Sequence, residues 1–484
     1  MGSNRRDFLR NTIMGAGLMA TGFAGQAATS GNETVSNRKE KNREQRFNMS
    51  GYAAPKIDKV RIGFVGLGMR GPGAVERMSY IDGVEIVALC DQYPDRVEAM
   101  QKLLEKQGLP KAKSYSGSKD AWKAMCENPD IDLIYITTPW SWHTPMAVYA
   151  MEHGKHAATE VPAAVTIDEC WQLVETSERT KKHCMMLENC CYDFFELLTL
   201  NMARQGFFGD IVHGEGAYIH DLRSLNFAKD DGYAEMWRLK ENQHRNGNLY
   251  PTHGLGPICQ VMNINRGDQM EYLTSMSSAD FHMAAMAKEL AAKDSFFNEF
   301  TTDHYRGNMN TTTVRTFNGR TIMIQHDVTS PRPYSRIHLV SGSKGVASKW
   351  PDPARIATGH GWLKPEEMKP LEEKYTPEIV KKIGEMAKKV GGHGGMDFMM
   401  DWRLIDCLRN GLPLDQDVYD AALWSAIAPL SEKSVANRSN SVDIPDFTNG
   451  AWKTNAPVEL TLKGGGTTGV REKKVDDSKQ LNVK

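Results

Sequence analysis

The sequence predicts an α/β protein in which a doubly wound parallel sheet is followed by an α+β domain with a large, open, mostly antiparallel sheet. Between residues 60 and 190, short apolar runs alternate with amphipathic segments, as in parallel strands joined by helices. After about residue 195, longer β-like runs follow one another without regular helices between them. The chain has 484 residues, which is more than one hydrophobic core usually organises.

Five strands are predicted in the first part of the chain, each buried because nearly all of its residues are apolar. They are VRIGFVG (60–66), VEIVALCD (84–91), DLIYITTP (132–139), HAATEVP (156–162) and CMMLENC (184–190). Apolar residues at helical spacing predict helices between them, such as DRVEAMQKLLEKQG (95–108). Right-handed crossovers then place the strands in one parallel sheet.

The second part is predicted to be mainly β, with helices near its end. The β-like runs are IVHGEGAYIHDL (211–222), TTTVRTFNGRTIMIQHDV (311–328) and SRIHLVSGSKGVAS (335–348), and FNGR is a hairpin signal. Helices return at PEEMKPLEEKY (365–375), PEIVKKIGEMAKKVG (377–391) and MDFMMDWRLIDCLRNG (396–411). We therefore expect a first domain over 57–195, a second over 196–455, and a mobile tail over 456–484.

The N-terminal residues predict export rather than a fold. Adjacent Arg5 and Arg6 precede a short, glycine-broken apolar stretch, as in a twin-arginine signal ending near residue 28. This stretch is too short for a permanent membrane anchor. Residues 29–56 are polar and predict a linker. The twin-arginine route carries folded proteins to the bacterial periplasm, so a bound cofactor can be loaded before transport.

Charge and cysteine content exclude several classes of function. With 59 basic and 60 acidic residues, the formal net charge is -1, which gives no general attraction to nucleic acid or to anionic membranes. Most of the eight cysteines lie in apolar runs and are predicted to be core residues, with disulfides left open. Cys190 and Cys191 would point to opposite faces of a strand, and no second CxxC follows. We therefore expect no metal.

A glycine motif predicts the first functional site. Gly66, Gly68 and Gly71 follow the first strand and open a helix, and Asp91 ends the next strand. Gly66 permits the turn, Gly68 lets the backbone approach a pyrophosphate, and Gly71 allows close packing. Asp91 is placed to accept hydrogen bonds from a ribose and to repel a 2′-phosphate. The motif therefore predicts NAD rather than NADP, with Arg70 leaving some room for NADP.

Ligands of such sheets lie beyond the carboxyl ends of the strands, where this chain has several polar and aromatic residues. These strand ends are Asp91, Thr138, Pro139, Trp140, Ser141, Trp142, His143, Glu160, Val161, Pro162, Glu188 and Asn189. The Trp-Ser-Trp-His turn could also be a helix cap with packed indoles, and its position favours cofactor contact. The loop Gly391–Gly395 could border the site, but a flexible linker is the better interpretation.

These motifs resemble the glucose-fructose oxidoreductase/inositol dehydrogenase class, with two departures. That class normally has Glu-Lys-Pro on the fourth strand, and this chain has Glu160-Val161-Pro162. It normally has a later Asp-x-x-x-His pair, and this chain has YPTHG over 250–254. With MRG, WSWH, EVPAA, MMLENCCY and HRNGNLYPTHGLGP, residues 57–455 resemble glycoside hydrolase family 109, the NAD-dependent α-N-acetylgalactosaminidases.

The resemblance implies a glycosidase that uses NAD without net redox. Hydride leaves C3 of the sugar for NAD, the C2 proton becomes acidic, the C1 substituent is eliminated, water adds to C1, and the hydride returns. Two alternatives stay open: a net sugar oxidoreductase with tightly bound cofactor, and a non-catalytic, NAD-bound sugar-sensing module. The expected partner is a glycan or small molecule, and the oligomeric state, including a homo-oligomer, is left open.

The resemblance also implies roles for individual residues. His253 would handle the proton of the C3 hydroxyl, although a helix-capping histidine is the plainer alternative. Tyr192 is a candidate base for C2, with buried packing an equally good interpretation. The implied substrate contacts are Tyr218, Arg238, Tyr250, Pro251, Thr252, His253 and Tyr334. The implied cofactor contacts are Gly66, Gly68, Met69, Arg70, Gly71, Asp91, Trp140, Ser141, Trp142, His143, Glu160, Val161, Asn189 and Tyr250.

Overall fold

Six parallel strands form the first sheet, in the order β3-β2-β1-β4-β5-β6. The computed structural model describes residues 44–302, 304–459 and 461–471. The strands are β1 (Val60–Val65), β2 (Val84–Asp91), β3 (Lys113–Ser116), β4 (Leu133–Ile136), β5 (His156–Thr159) and β6 (Cys184–Met186). The sequence did not predict β3, because only Tyr115 of its four residues is buried and it therefore carries no apolar run.

Helices cover this sheet and connect its strands. They are α1 (Gly71–Met78), α2 (Pro94–Lys106), α3 (Ala121–Cys126), α4 (His143–Glu152) and α5 (Ile167–Thr180). The helix α5 begins with a capping box, in which Thr166 and Glu169 each satisfy a backbone N–H of the other. The alternation of strand and helix that the sequence predicts is therefore confirmed.

Eight strands form the second sheet, in the order β13-β12-β11-β7-β10-β9-β8-β14. They are β7 (Ile211–Ile219), β8 (Met270–Ser277), β9 (Asn310–Thr316), β10 (Thr321–Asp327), β11 (Leu339–Gly342), β12 (Val346–Ser348), β13 (Arg355–Ala357) and β14 (Val442–Asp443). All neighbours are antiparallel except β7 and β10. The predicted α+β domain with an open, mostly antiparallel sheet is confirmed.

The remaining helices lie on this second part of the chain. They are α6 (Phe194–Arg204), α7 (Arg223–Asn226), α8 (Trp237–His244), α9 (Thr252–Val261), α10 (Met283–Ala291), α11 (Pro365–Tyr375), α12 (Glu378–Val390), α13 (Met396–Asn410) and α14 (Val418–Ala436). Most residues of α14 are buried. Trp424 of α14 and Trp402 of α13 are among the largest fully buried side chains. No helix of the described residues has the length and hydropathy that a membrane span requires.

Two predictions about the ends of the chain are corrected. Met49, in the predicted linker, is buried, and its N–H donates to the hydroxyl of Tyr419 at 3.1 Å. In the predicted mobile tail, the N–H groups of Gly466 and Thr468 donate to the buried carboxylate of Asp406 at 2.7 and 3.2 Å. The described residues of both segments, 44–56, 456–459 and 461–471, thus supply contacts to the core, where buried polar groups need partners. The predicted export signal lies outside the described residues.

The helix α9 packs directly on β7, because glycine stands on both sides of the contact. A Cβ at Gly216 would lie 2.3 Å from the carbonyl oxygen of Gly254, and a Cβ at Gly254 would lie 2.2 Å from the nitrogen of Ala217. Neither site can relax by moving a flexible side chain, since both clashes are with backbone. The contact fixes where the first turn of α9, which includes His253, sits above the sheet.

We expect Gly254→Ala to lower the free energy of unfolding by about 2 kcal/mol, as overpacking of a tight contact does. Thermal and denaturant unfolding would measure it. Gly359→Ala is the matched control, because nothing lies within 4 Å of a Cβ built there. Equal unfolding midpoints for the two variants would contradict the close approach of α9 to β7.

Candidate active site

A cavity of about 680 Å³ opens at the carboxyl ends of the first sheet. Its walls come from both parts of the chain. The first sheet contributes the glycine loop after β1, Asp91, the turn after β4 and the Glu160-Val161 pair. The second part contributes Tyr218, Arg238, Tyr250 and His253. A ligand bound to the glycine loop would therefore face side chains of the second domain.

The glycine loop has the geometry of a pyrophosphate cradle. Gly66 has a φ of +90°, and a Cβ there would lie 2.7 Å from the backbone carbon of Thr137. A Cβ at Gly71 would lie 2.3 Å from the carbonyl oxygen of Gly66. The loop and the N-terminus of α1 are thus brought together as closely as glycine permits, which is the arrangement that leaves amide donors open to a phosphate. Gly66 and Gly68 line the cavity, and Gly71 supports them from behind.

Asp91 fastens this loop as well as lining the cavity. Its Oδ2 accepts from the N–H of Leu67 at 2.7 Å, and its Oδ1 accepts from the N–H of Tyr93 at 2.9 Å. Arg96, which sequence reasoning did not single out, lies 3.6 Å from Asp91 and also lines the cavity. A carboxylate fixed in this position can still accept a ribose hydroxyl with its remaining lone pairs.

Arg70 and Glu160 form one charged network with a helix of the second part. Arg70 Nε lies 2.8 Å from Glu160 Oε1, and Arg70 Nη1 lies 3.4 Å from Asp397 Oδ2. Asn189 donates to the other oxygen of Asp397. Burial acts to raise the pKa of Asp397, but Arg70, His393 and Arg77 hold it well below its usual value. Arg70 is therefore engaged by carboxylates and does not stand free for a 2′-phosphate.

The Trp-Ser-Trp-His turn both lines the cavity and packs into the core beside it, while its contact with a cofactor stays a prediction. Trp140 lines the cavity, and its ring stacks on that of Tyr250 at 5.7 Å. Trp142 and Ser141 line the cavity too. His143 is fully buried, with its ring nitrogens 2.7 Å from the carbonyl oxygens of Thr138 and Pro162. It thereby joins the ends of β4 and β5, and burial lowers its pKa.

His253 is paired with a carboxylate, Glu188, to which the sequence analysis assigned no role. Its Nδ1 lies 2.7 Å from Oε1 of Glu188, whose side chain is completely buried. Burial acts to raise the pKa of Glu188, but the imidazole of His253, together with hydrogen bonds from Thr252 and the N–H of Cys190, holds this pKa below its usual value. The charged carboxylate fixes the ring and leaves Nε2 for the cavity. The sequence placed Glu188 at a strand end but gave no sign that it meets His253.

Aromatic rings surround a buried arginine beside this pair. The guanidinium of Arg238 lies 5.3 Å from the ring of Trp140 and 4.9 Å from that of Tyr250. Its Nη1 donates to Tyr233 at 2.6 Å, whereas its buried Nη2 has no partner among the described residues. Burial raises the pKa of Tyr218 to about 12 and that of Tyr250 well above its usual value, so both phenols keep their protons at neutral pH. An unpaired donor among rings suits an oxygen acceptor on a ligand.

Tyr192 does not line the cavity, so its surroundings fit the alternative of buried packing better than a role as base for C2. The segment Asn189–Tyr192 is a 3₁₀ turn rather than the end of a strand, and Tyr192 lines a separate small pocket with Arg403 and Asp415. Its hydroxyl donates to Asp415 at 3.2 Å. Burial raises its pKa well above the usual value, with the Asp415 charge adding to the effect. The same turn corrects the strand geometry assumed for Cys190 and Cys191.

Three predicted substrate residues lie next to the cavity rather than in its wall. Pro251 is the N-cap residue of α9, and Thr252 is its first residue, next to His253. The ring of Tyr334 lies 5.2 Å from that of His220 and 6.2 Å from that of Tyr218, both of which line the cavity. These residues support the wall through the side chains that form it.

The loop Gly391–Gly395 is a cavity wall, so its interpretation as a flexible linker is wrong. Gly392 and Gly395 have φ values of +85° and +107°. A Cβ at Gly395 would lie 2.8 Å from backbone of Ala387, which shows how tightly the loop is packed. It presents His393 to the cavity, with Nδ1 2.9 Å from Asp397 Oδ2.

A segment that the sequence gave no reason to choose closes another side of the cavity. Asp230 to Glu235 all line it, followed by Trp237. Glu235 accepts a hydrogen bond from the hydroxyl of Tyr93 at 3.1 Å, so the segment reaches across to the first sheet. Its polar, glycine-containing sequence resembles an ordinary loop, and only its position shows the contact.

Three potential metal ligands lie together beside the cavity, within 4.8 Å of one another: Glu188, Cys190 and His253. Burial raises the pKa of Cys190 well above its usual value, so the thiol stays protonated and is a poor ligand. Glu188 is already hydrogen-bonded to Nδ1 of His253. The absence of a metal stays a prediction.

The fold and the cavity define an NAD-binding enzyme built on the oxidoreductase plan. Residues 60–188 match the family described as "Oxidoreductase family, NAD-binding Rossmann fold". Residues 192–454 match "Glycosyl hydrolase 109, C-terminal domain". The chain belongs to glycosyl hydrolase family 109, so it is a glycoside hydrolase that uses NAD, and the resemblance described above is confirmed.

Similar proteins agree with this assignment. The chain is 53% identical over 418 residues to "Glycosyl hydrolase family 109 protein 1" of Bacteroides fragilis, covering 83% of this chain and 88% of that one. It is 52% identical over 413 residues to an "Alpha-N-acetylgalactosaminidase" of the same species, covering 83% and 95%. A solved levoglucosan dehydrogenase in complex with NADH and levoglucosan has a TM-score of 0.60 at 16% identity, covering 80% of this chain and all of that one. This last likeness concerns the fold alone.

Proposed function

We propose that the protein hydrolyses terminal α-linked N-acetylgalactosamine with NAD as a resident cofactor and without net redox. The observation that carries the proposal is the Glu188–His253 pair at 2.7 Å, in the same cavity as the glycine loop. Lysine of the Glu-Lys-Pro motif is replaced by buried, apolar Val161, which cannot move a proton. The imidazole is therefore the group built for proton transfer at this wall.

The residues of the cavity divide the work between binding and proton transfer. His253, oriented by Glu188, takes the proton of the C3 hydroxyl and later gives it back. When NAD is bound, it supplies the chemistry of accepting hydride from C3 and returning it. The glycine loop, Asp91 and the Trp140 turn hold it there. The ketone at C3 acidifies the C2 proton, so the substituent at C1 can leave by elimination and water can add in its place.

The choice of sugar has support from both the cavity and a relative. The unpaired Nη2 of Arg238 can donate to an amide or hydroxyl oxygen, and the rings of Trp140, Tyr218 and Tyr250 can pack on the apolar face of a pyranose. The relative named alpha-N-acetylgalactosaminidase is 52% identical to this chain. Together they favour an N-acetylated galactoside as the terminal sugar.

The test is to incubate the purified protein with a chromogenic α-N-acetylgalactosaminide and no added cofactor. We expect phenol release without accumulation of NADH, and deuterium at C2 of the released sugar in D₂O. Accumulation of NADH in stoichiometric amount would instead favour a net sugar oxidoreductase. The absence of any turnover would favour a non-catalytic sensing module. Phenol release with no deuterium at C2 would overturn the elimination route.

We propose as well that the protein is exported to the periplasm in folded form. Arg5 and Arg6 before the apolar stretch support this location. A cofactor held through the reaction suits such a place, because no nicotinamide pool is available there for exchange. Arg5→Lys together with Arg6→Lys should leave the protein in the cytoplasmic fraction, and unchanged export would contradict the proposal.

A further inference from the structure

We infer that the hydrogen bond between Tyr93 and Glu235 keeps NAD in its site between turnovers. It does so by holding the crossing segment, residues 230–237, over the dinucleotide. This inference rests on the resident cofactor of the proposed function and concerns the retention of NAD rather than the reaction. Glu235 lines the cavity and Tyr93 does not, so Tyr93 is a positioning residue that acts through Glu235.

The crossing segment contacts the first domain on both sides of the glycine loop. The hydroxyl of Tyr93, which follows β2, donates to Oε1 of Glu235 at 3.1 Å. The ring of Trp237 lies 5.1 Å from that of Trp140, which follows β4. Because β1 lies between β2 and β4 in the sheet, a segment that contacts both flanks passes over the loop after β1. A dinucleotide on that loop, with its ribose at Asp91, would lie beneath the segment.

A small hydrophobic cluster of the second domain anchors the crossing segment. Its buried members are Phe227, Met236, Leu239, Met283, Ala287, Phe297, Phe300 and Tyr305. The chain leaves this cluster after Phe227 and returns to it at Met236, so residues 228–235 form a loop with both ends held. The hydrogen bond from Tyr93 then ties the last residue of this loop to the first domain.

The backbone turns sharply where the crossing segment meets Tyr93. Glu235 and Met236 have φ values of +56° and +51°. Left-handed backbone is uncommon for residues other than glycine, and it persists where surrounding contacts hold it. Here the turn directs Glu235 to Tyr93 and returns Met236 to the buried cluster. Nearby, the hydroxyl of Tyr233 accepts from Nη1 of Arg238 at 2.6 Å, which fixes a second point of the segment.

Tyr93 is itself held at the end of the site that receives the ribose. Its N–H donates to Oδ1 of Asp91 at 2.9 Å. The guanidinium of Arg96 lies 4.6 Å from the ring of Tyr93 and 3.6 Å from the carboxylate of Asp91. The phenol is thus a fixed post on the first domain, to which Glu235 is bonded. NAD can leave only when the crossing segment lifts, and lifting breaks this hydrogen bond.

The test is exchange of bound NAD against an excess of deuterium-labelled NAD, read by mass spectrometry of the nucleotide that denaturation releases. The variants are Tyr93→Phe, which removes only the hydroxyl, Glu235→Ala, and both together. We expect each single variant to exchange NAD about threefold to tenfold faster, as for the loss of one hydrogen bond at a partly exposed site. The double variant should exchange no faster than the faster single variant, because the same bond is lost in all three.

Tyr149→Phe is the matched control for removing a tyrosine hydroxyl. The hydroxyl of Tyr149 donates to Oε1 of Glu127 at 2.5 Å, and neither residue lines the cavity. This variant should exchange NAD at the rate of the unsubstituted protein. Hydrolysis by dilute Tyr93→Phe protein should decline with time and recover when NAD is added, which a structural defect would not show.

Three results would overturn this inference. The first is exchange by Tyr93→Phe at the rate of the unsubstituted protein, and the second is an equal acceleration by Tyr149→Phe. The third is a double variant whose acceleration is the product of the two single effects, because the two residues would then act independently. Purified, unsubstituted protein that contains no NAD would instead contradict the resident cofactor of the proposed function.

Discussion

Replacing His253 with alanine is expected to lower kcat/KM on an α-N-acetylgalactosaminide by about 10³-fold or more. In the proposed function the imidazole moves the C3 hydroxyl proton, and its Nδ1 lies 2.7 Å from Glu188. The loss should appear on activated and unactivated glycosides alike, because oxidation at C3 precedes departure at C1.

The measurement is hydrolysis at several substrate concentrations, together with the NAD content of the purified variant. We expect the NAD content to stay near one per chain, since the cradle is formed by the glycine loop and Asp91. Exchange of the C2 proton of free N-acetylgalactosamine should fall with hydrolysis, because it also needs oxidation at C3. Activity within threefold of the unsubstituted protein would show that another group moves this proton.

Replacing Glu188 with glutamine is expected to lower kcat by about 10²- to 10⁴-fold with little change in the bound NAD. Glutamine has nearly the same shape, but it removes the charge that stabilises a protonated His253 and no longer fixes which ring nitrogen carries the proton. Glu188 acts through His253 and is a positioning residue. A shift in the pH profile of kcat, absent from a purely structural defect, should accompany the loss.

Glu178→Gln is the matched control for removing a buried carboxylate. Glu178 is buried and accepts from the hydroxyl of Tyr419 at 2.8 Å, but it does not line the cavity. It should change the unfolding midpoint while kcat stays within about twofold, as expected for a site outside the chemistry. If Glu188→Gln behaves in the same way as Glu178→Gln, the carboxylate has no part in catalysis.

Much of the cofactor site could be predicted because its signals are local. Gly66, Gly68 and Gly71 lie in one short segment, residues 66–71. The strand ends that carry Asp91 and Glu160 are marked by the apolar runs before them. Parallel strands must place their carboxyl ends on one edge. Each of these positions except Gly71 lines the observed cavity.

The differences between prediction and structure concern segments whose role depends on partners distant in sequence. Tyr192 was a plausible base from its position after a strand, but a 3₁₀ turn directs it to Asp415. The loop around His393 has the composition of a linker, and it packs because Asp397 and backbone of Ala387 lie against its glycines. Composition describes what a segment can do in isolation, and here the contacts outweighed it.

By itself the sequence determined the fold class, the dinucleotide and the family, because each depends on residues close together in the chain or on a pattern repeated along it. Only the tertiary structure decided which carboxylate orients which imidazole. Glu188 and His253 are 65 positions apart, and Asn189 and Asp397 are 208 positions apart. A hydrogen bond requires two atoms to meet within about 3 Å, and no local pattern records which distant segments the packed core brings that close.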